Sequence, residues 1–297
     1  MAVREKDAAI WKNALNMYHR FETDEVPGIQ IQANINNQQH RTTTNKEGFF
    51  ELEIDLRQHP DRLWQPVQLE ILSDSYPVAS KTTQGEAIIV SEKTEFGVIS
   101  DIYDTIVHTA ATDLLKMIRI AYLGNANTRQ PFAGVAEFYQ ALQQGHSKQA
   151  GNPIFYVSSS AWNMYDLFTK FMAANNIPKG PILLRDIELS PANLLSFEHG
   201  SHKLEQICPI LEKFPDLPFI LVGDTGQRDA EIYRTIVRDF PNRILAIYLR
   251  NVTPGDCDRT AELDDIGSSL QQQGVQYLVF SETAVAANHA ASHGWTT

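Results

Sequence analysis

Near residue 91 the hydrophobic pattern of this 297-residue chain changes period, and that change constrains the fold more than any other feature. Beyond it, short apolar runs alternate with stretches of helical spacing. The runs are Phe96–Ser100, Pro153–Ser158, Phe219–Gly223, Arg243–Leu249 and Gln276–Phe280. The helical stretches include Ala133–Gln144, Trp162–Asn175, Lys203–Phe214 and Asp229–Asp239. Continuous β-branched and aromatic runs suit strands covered on both faces, which is the condition inside a parallel sheet. Strand and helix in strict alternation predict a Rossmann-like α/β domain with helices on both faces, over residues 95–297.

Before that point the period is two. Ile29–Ile35 alternates apolar with polar, and Asn36-Asn37 marks a turn. Thr42–Thr44, Phe49–Ile54, Trp64–Leu72 and Glu86–Val90 read as further strands separated by turn residues. Together they predict a small antiparallel β-sandwich over residues 21–94. Ile10, Trp11, Leu15 and Tyr18 have helix spacing, so residues 1–20 read as an amphipathic helix. His40 and His59 read as surface residues, and nothing in this half looks chemical.

Charge narrows the partners. The net charge of −11 argues against a nucleic-acid binder and gives no bulk attraction to an anionic membrane. Membrane contact is expected to be peripheral at most. Cys208 and Cys257 are too few for a disulfide framework, and no early apolar run suits a signal peptide or a membrane span. The expected setting is the cytoplasm, so the Asn251-Val252-Thr253 sequon carries no weight.

Four segments carry candidate chemistry. The run Phe96–Ser100 delivers Asp101 to a strand's C-terminal edge, where open α/β sheets bind ligands and a carboxylate can act as a nucleophile. Ile154–Val157 ends in Ser158, Ser159 and Ser160, whose hydroxyl and backbone N–H groups suit an oxyanion. Lys203 is expected to open a helix, an unfavourable place for a cation unless an anion sits beside it. Phe219–Gly223 delivers Asp224, and Asp229 follows at the next helix start. Two close carboxylates repel unless a cation or proton lies between them, and hard oxygen ligands at a phosphate site suit Mg²⁺. Gly223 and Gly226 are expected to permit a tight turn between them.

Taken together and in this order, the four segments resemble the haloacid dehalogenase superfamily. The stretches GVISDI-DTI, YVSSSAWNMYDLF, PKGPILLRD, HK, FPDLPFILVGDTGQRDAEIY and RILAIYLRNV are most similar to the actin-patch-associated phosphatidate phosphatase family, over about residues 94–280. The β-rich segment before them resembles the region that accompanies this catalytic domain in bacterial members. The resemblance implies a Mg²⁺-dependent phosphoric monoester hydrolase acting on a phosphomonoester, phosphatidate or another lipid phosphate among the candidates. Asp101 would be the nucleophile. Ser158 and Lys203 would bind substrate and be catalytic; apart from the resemblance, Ser159 beside Ser158 and Arg185 after the apolar run Pro181–Leu184 read as further substrate-binding candidates. Asp101, the backbone carbonyl of Tyr103, Asp224 and Asp229 would hold the metal.

One position departs from the family pattern. It reads Asp-x-Asp-Asp-Thr, and this chain has Tyr103 at the second Asp. In the family that Asp protonates the leaving alcohol and then deprotonates water. A phenol, with an ordinary pKa of about 10, donates a proton but is a poor base at neutral pH. A positioned acid or base contributes roughly 10²–10⁴-fold, so the expectation is a slow or altered phosphatase. A phospho-ligand-binding protein and a metal-independent dehalogenase are the two other readings. His108 is expected near the pocket, Arg228 inside the Asp224 loop, Trp162 and Tyr165 in the core. His289 and His293 read as a solvated pair.

Overall fold

The computed structural model describes residues 26–52, 54, 63–73, 80–106, 131–149, 151–185 and 199–297. The expected helix over 1–20, His59 and His108 lie outside these residues. The described residues divide into two compact units, one up to Glu92 and the other from Lys93 to Thr297.

In the smaller unit, β1 (Gln30–Ile35), β2 (Gln38–Thr43), β3 (Trp64–Ile71) and β4 (Thr82–Ile88) form one antiparallel sheet in the order β2-β1-β3-β4. Asn36 and Asn37 both adopt positive φ, 46° and 62°, as the two-residue β1–β2 turn requires. Alternation along β1 and β3 buries Ala33, Ile35 and Val67 as a small core, with Leu52, Ile54, Leu69 and Ala87 packed against it. The expected strand at Phe49–Ile54 is a correction: Phe49–Leu52 and Ile54 belong to no strand. The Asn45 side chain accepts from Glu47 N and Phe49 N, which bends the chain there, and Phe49 and Phe50 are exposed.

The larger unit holds a parallel sheet of six strands flanked by helices, an α/β fold. In chain order its elements are β5 (Gly97–Asp101), α1 (Val135–Gln144), β6 (Ile154–Ala161), α2 (Tyr165–Ala174), β7 (Ile182–Arg185), α3 (His199–Lys213), β8 (Phe219–Asp224), α4 (Asp229–Asp239), β9 (Ile244–Arg250), α5 (Cys257–Gln272), β10 (Gln276–Phe280) and α6 (Thr283–Ser292). The strand order is β10-β9-β8-β5-β6-β7. Two of these strands and helices carry no clear signal in sequence: the four-residue edge strand β7, and α6, whose buried residues are small.

Alternate strand residues face opposite ways. Val98, Tyr156, Ile220, Val222, Ala246 and Tyr248 join Phe138 and Leu142 of α1, Phe168 and Met172 of α2, and Ala286 and Ala290 of α6 in one core. On the other face α3 packs against β6, α4 against β8 and β9, and α5 against β10. No helix among the described residues is long and apolar enough to cross a membrane.

From β5 the chain runs outward in one direction through β6 and β7, then returns to β8 and runs outward in the other. The C-terminal ends of β5 and β8 therefore meet at a topological switch point, the usual crevice of open α/β sheets.

Candidate active site

Sheet register assembles the site. Ser100 pairs with Val222 and Asp101 with Val157, so Asp224 and Ser158 lie just beyond the level of Asp101 on either side. Asp229 opens α4, and α3 brings Lys203 over the same edge. One carboxylate oxygen from each of Asp101, Asp224 and Asp229 lies within 4.8 Å of the others, and all three residues are buried. Lys203 Nζ sits among them, 3.0 Å from Asp101 Oδ1 and 2.5 Å from Asp229 Oδ1.

The expectation that Lys203 opens its helix is corrected. The helix starts at His199, so Lys203 belongs to its second turn, and its charge is answered by carboxylates rather than by the helix end. Burial alone would lower the Lys203 pKa, but Asp101, Asp229 and Asp224 outweigh it and hold the ammonium above its usual range. The carboxylates are less well served. Burial pushes Asp101 up to about 7 against the opposing pull of Lys203. Burial, then Asp229 and Asp101, push Asp224 up to about 8. Three buried carboxylates and one ammonium leave an excess of negative charge, which favours a proton or a cation.

Backbone and side-chain donors fix two of the carboxylates. Asp224 Oδ1 accepts from Gly226 N at 2.7 Å and Gln227 N at 2.9 Å, and Asp224 Oδ2 accepts from Gln227 Nε2 at 3.1 Å. Asp229 Oδ2 accepts from Asp224 N at 3.1 Å, so this side chain ties the loop together instead of capping its own helix. Asp101 Oδ2, by contrast, is buried with no hydrogen-bond partner. That bare oxygen and the oxygen-only donor set fit a hard divalent cation. The role expected of Gly223 and Gly226 changes accordingly. Neither has a positive φ, and what each supplies is room: a Cβ on Gly223 would stand 2.4 Å from Asp229 Oδ2, and one on Gly226 would stand 2.9 Å from Val252 Cγ2.

Behind Asp101, Ser100 Oγ donates to the Asp101 carbonyl at 2.7 Å and lies 2.6 Å from Tyr139 Oη. The serine has one proton to give, so Tyr139 is the donor of the second bond. Burial raises the Tyr139 pKa and keeps it in that role.

Ser158, Ser159 and Ser160 occupy a β-bulge. Val157 pairs with Leu183 and Ala161 with Arg185, so β6 fits two extra residues opposite β7. Bulges next to active sites re-aim side chains, and Ser158 Oγ accepts from Ser160 N at 3.2 Å inside this one. Ser159 Oγ and Ser160 Oγ are buried without partners. Arg185, half-buried, ends β7 opposite Ala161, across from the bulge. Its charge joins burial in lowering the pKa of His202, the neighbour of Lys203.

Tyr103 is half-buried, with its ring edge-on to Phe168 of α2 at 5.5 Å and 72°. Asp104 takes a left-handed φ of 51°, which turns the chain sharply after Tyr103. Trp162 and Tyr165 are not core residues. Trp162 is half-buried and Tyr165 is 49% exposed, because they stand where β6 gives way to α2 at the open end of the sheet. Arg228 lies just before α4. His289 and His293 are at the end of α6, and His289 Nδ1 lies 3.0 Å from Tyr248 Oη.

Three site residues escape sequence reasoning. Gln227 bridges Asp224 and Lys203, with its Oε1 3.3 Å from Nζ. Tyr139 reaches the site from α1 through Ser100, and Arg259 from α5 through the Thr225 and Gln227 carbonyls, which accept from its Nε and Nη2 at 3.1 and 3.0 Å. Gln227 lies inside the conspicuous Asp224 segment, but no spacing rule marks the other two.

Residues 96–251 match the family described as "Phosphatidate phosphatase APP1, catalytic domain". "Phosphatidate phosphatase APP1" of Saccharomyces cerevisiae is 37% identical over 155 residues, covering 52% of this chain and 25% of that protein. "Uncharacterized protein C29B5.04c" of Schizosaccharomyces pombe is 25% identical over 218 residues, covering 72% of this chain and 35% of that protein. The matched segments thus span a quarter to about a third of these curated relatives' own lengths.

Proposed function

The chain belongs to the family of the phosphatidate phosphatase APP1 catalytic domain, and on that footing we propose that it is a metal-dependent phosphoric monoester hydrolase. The observation that carries this reading is the cluster of Asp101, Asp224 and Asp229, buried together and only partly neutralised by Lys203. Holding so much negative charge out of water costs stability unless a cation completes it. A site that keeps such a cost is a functional candidate.

In this reading Asp101 is the nucleophile. Its carboxylate attacks the phosphorus of a phosphomonoester, the bond to the leaving alcohol breaks, and an aspartyl phosphate forms. Water then attacks that phosphorus and frees Asp101. Lys203 offers an ammonium to the phosphoryl oxygens, beside the hydroxyls of Ser158 and Ser159. Arg185 stands at the rim for an outer oxygen. Asp101, Asp224, Asp229 and the carbonyl of Tyr103 would hold Mg²⁺, which when bound keeps the carboxylates ionised and neutralises charge on the phosphoryl group. Gly226 N, Gln227 N and Gln227 Nε2 hold Asp224 in place throughout.

The substrate class follows the yeast relative's name: phosphatidate, or another lipid phosphate. The exposed ring of Tyr165 at the open end of the sheet suits an amphiphilic substrate, because exposed aromatic rings settle at lipid interfaces. Peripheral membrane contact is all this needs. A cytoplasmic setting agrees with Cys208 and Cys257 both being free thiols.

Tyr103 favours a second reading, a slow enzyme or one that holds phosphorylated ligands. Its phenol can deliver a proton to the alcohol but is ill-suited to take one from water. Attack by Asp101 should therefore survive better than release of the aspartyl phosphate.

The test is phosphate release from an aryl phosphate, which needs little leaving-group protonation. Release should require Mg²⁺, stop with EDTA, and outpace release from alkyl phosphates. Equal turnover with and without EDTA would overturn the metal-dependent reading, and metal-independent halide release would replace it with dehalogenation.

A further inference from the structure

The loop Thr225–Arg228 between β8 and α4 is gripped from two sides. Inside, Asp224 Oδ1 takes the N–H groups of Gly226 and Gln227. Outside stands Arg259, in the first turn of α5. Its Nε donates to the Thr225 carbonyl at 3.1 Å and its Nη2 to the Gln227 carbonyl at 3.0 Å. Glu231 and Glu262 take Nη1, each at 2.6 Å, so the guanidinium is held by carboxylates while it holds the loop.

One peptide group joins the two grips. The Thr225 carbonyl and the Gly226 N–H belong to the same amide. Arg259 pulls on its oxygen and Asp224 takes its hydrogen. A cation on the carbonyl polarises the N–H, and bonds in such a chain strengthen one another. The charge of Arg259 thus reaches the Asp224 carboxylate through a single peptide plane. The fork spreads these contacts over three nitrogens, Nε, Nη1 and Nη2, a span that the single nitrogen of a Lys does not cover. The family match ends at residue 251, so this brace comes from outside the matched segment.

We propose that Arg259 is a positioning residue for the carboxylate cluster, setting the orientation of Asp224 and with it the affinity for a divalent cation. The inference rests on the reading of Asp101, Asp224 and Asp229 as a metal site, but the brace has a readout of its own.

Two measurements on the full chain test it: Mg²⁺ binding by calorimetry, and amide hydrogen exchange of Gly226 and Gln227 without metal. Arg259→Lys keeps the charge and loses the fork. It should raise the Mg²⁺ Kd about tenfold, the lower end of what outer-shell changes do, and speed exchange of both amides. Its melting temperature should stay near that of the parent. Asp265→Asn, exposed on the same helix and away from the guanidinium, should leave both readouts unchanged. Arg259→Ala should exceed Arg259→Lys, and if it fails to fold the Lys variant decides. Unchanged amide exchange in Arg259→Lys overturns the inference. So does faster exchange with unchanged Mg²⁺ affinity, which would make Arg259 a structural residue only. If the parent itself binds no Mg²⁺, the metal reading fails and the claim about affinity falls with it.

Discussion

The two sheets of this protein leave buried polar atoms unpartnered in different ways. Among the described residues of the four-stranded sheet, bare amide oxygens stand out: Asn34 Oδ1, Gln38 Oε1 and Gln65 Oε1. They are spread along the strands. In the six-stranded sheet, β5 and β8 are buried at every position, and polar groups gather where the strands end. There a carboxylate oxygen, Asp101 Oδ2, is left bare beside two more carboxylates. A neutral orphan costs about 1–3 kcal/mol and a charged one more. Counting unsatisfied atoms would not separate the two sheets, whereas charge does. The larger sheet draws its stability from strand middles and spends part of it at strand ends.

The largest expected effect breaks that comparison if it fails. Asp101→Asn should cut phosphate release by at least about 10³-fold, as loss of a nucleophile does. The same change removes a buried charge that its surroundings push up to about 7. At neutral pH without metal, its melting temperature should therefore match or exceed that of the parent. A large fall in stability would make Asp101 an ordinary core residue and return the sheet's end to the status of its middle.

Ile35→Ala asks the converse question in the smaller sheet. Ile35 is 2% exposed and packs with Ala33 and Val67. Truncation should cost about 2–5 kcal/mol of that unit's stability. Activity assayed below the unfolding transition should not change. Parallel loss of both would mean that the units share one cooperative transition and that the contrast between them is only topological.

Legibility followed the same division. Strand middles were readable because Val98, Ile99, Ile220, Leu221 and their neighbours are apolar on both faces, a pattern little else produces. Asp229 was readable as a helix start. What failed was anything decided across the chain rather than along it. Phe49–Ile54 alternates like a strand, but the Asn45 side chain turns it aside. The serines of β6 read as a strand end suited to an oxyanion, while the structure makes them a bulge, which depends on β7. β7 itself was too short to see. Helix α5 buries only Leu263, Ile266, Gly267 and Leu270, so its apolar stripe is thin and Arg259 passes unnoticed on it.

The smallest effect is the most discriminating. In the proposed reading Tyr103 takes the place of an acid/base carboxylate, and its ring rests against Phe168, on the face of the sheet that carries the core. Tyr103→Asp removes that contact and supplies the missing base. Loss of the ring should lower stability by about 0.5–1.5 kcal/mol for the aromatic pair, with further loss from reduced packing. If the larger sheet does trade stability for chemistry at its strand ends, the same substitution should raise turnover of alkyl phosphates about tenfold or more, toward the 10²–10⁴ range of a positioned acid or base. Aryl phosphates should gain less in their first step, because their leaving groups need no proton. Stability lost with no gain on either substrate would place Tyr103 with the strand middles, as packing, and would mean that this end of β5 has been rebuilt for holding a ligand rather than for turning it over.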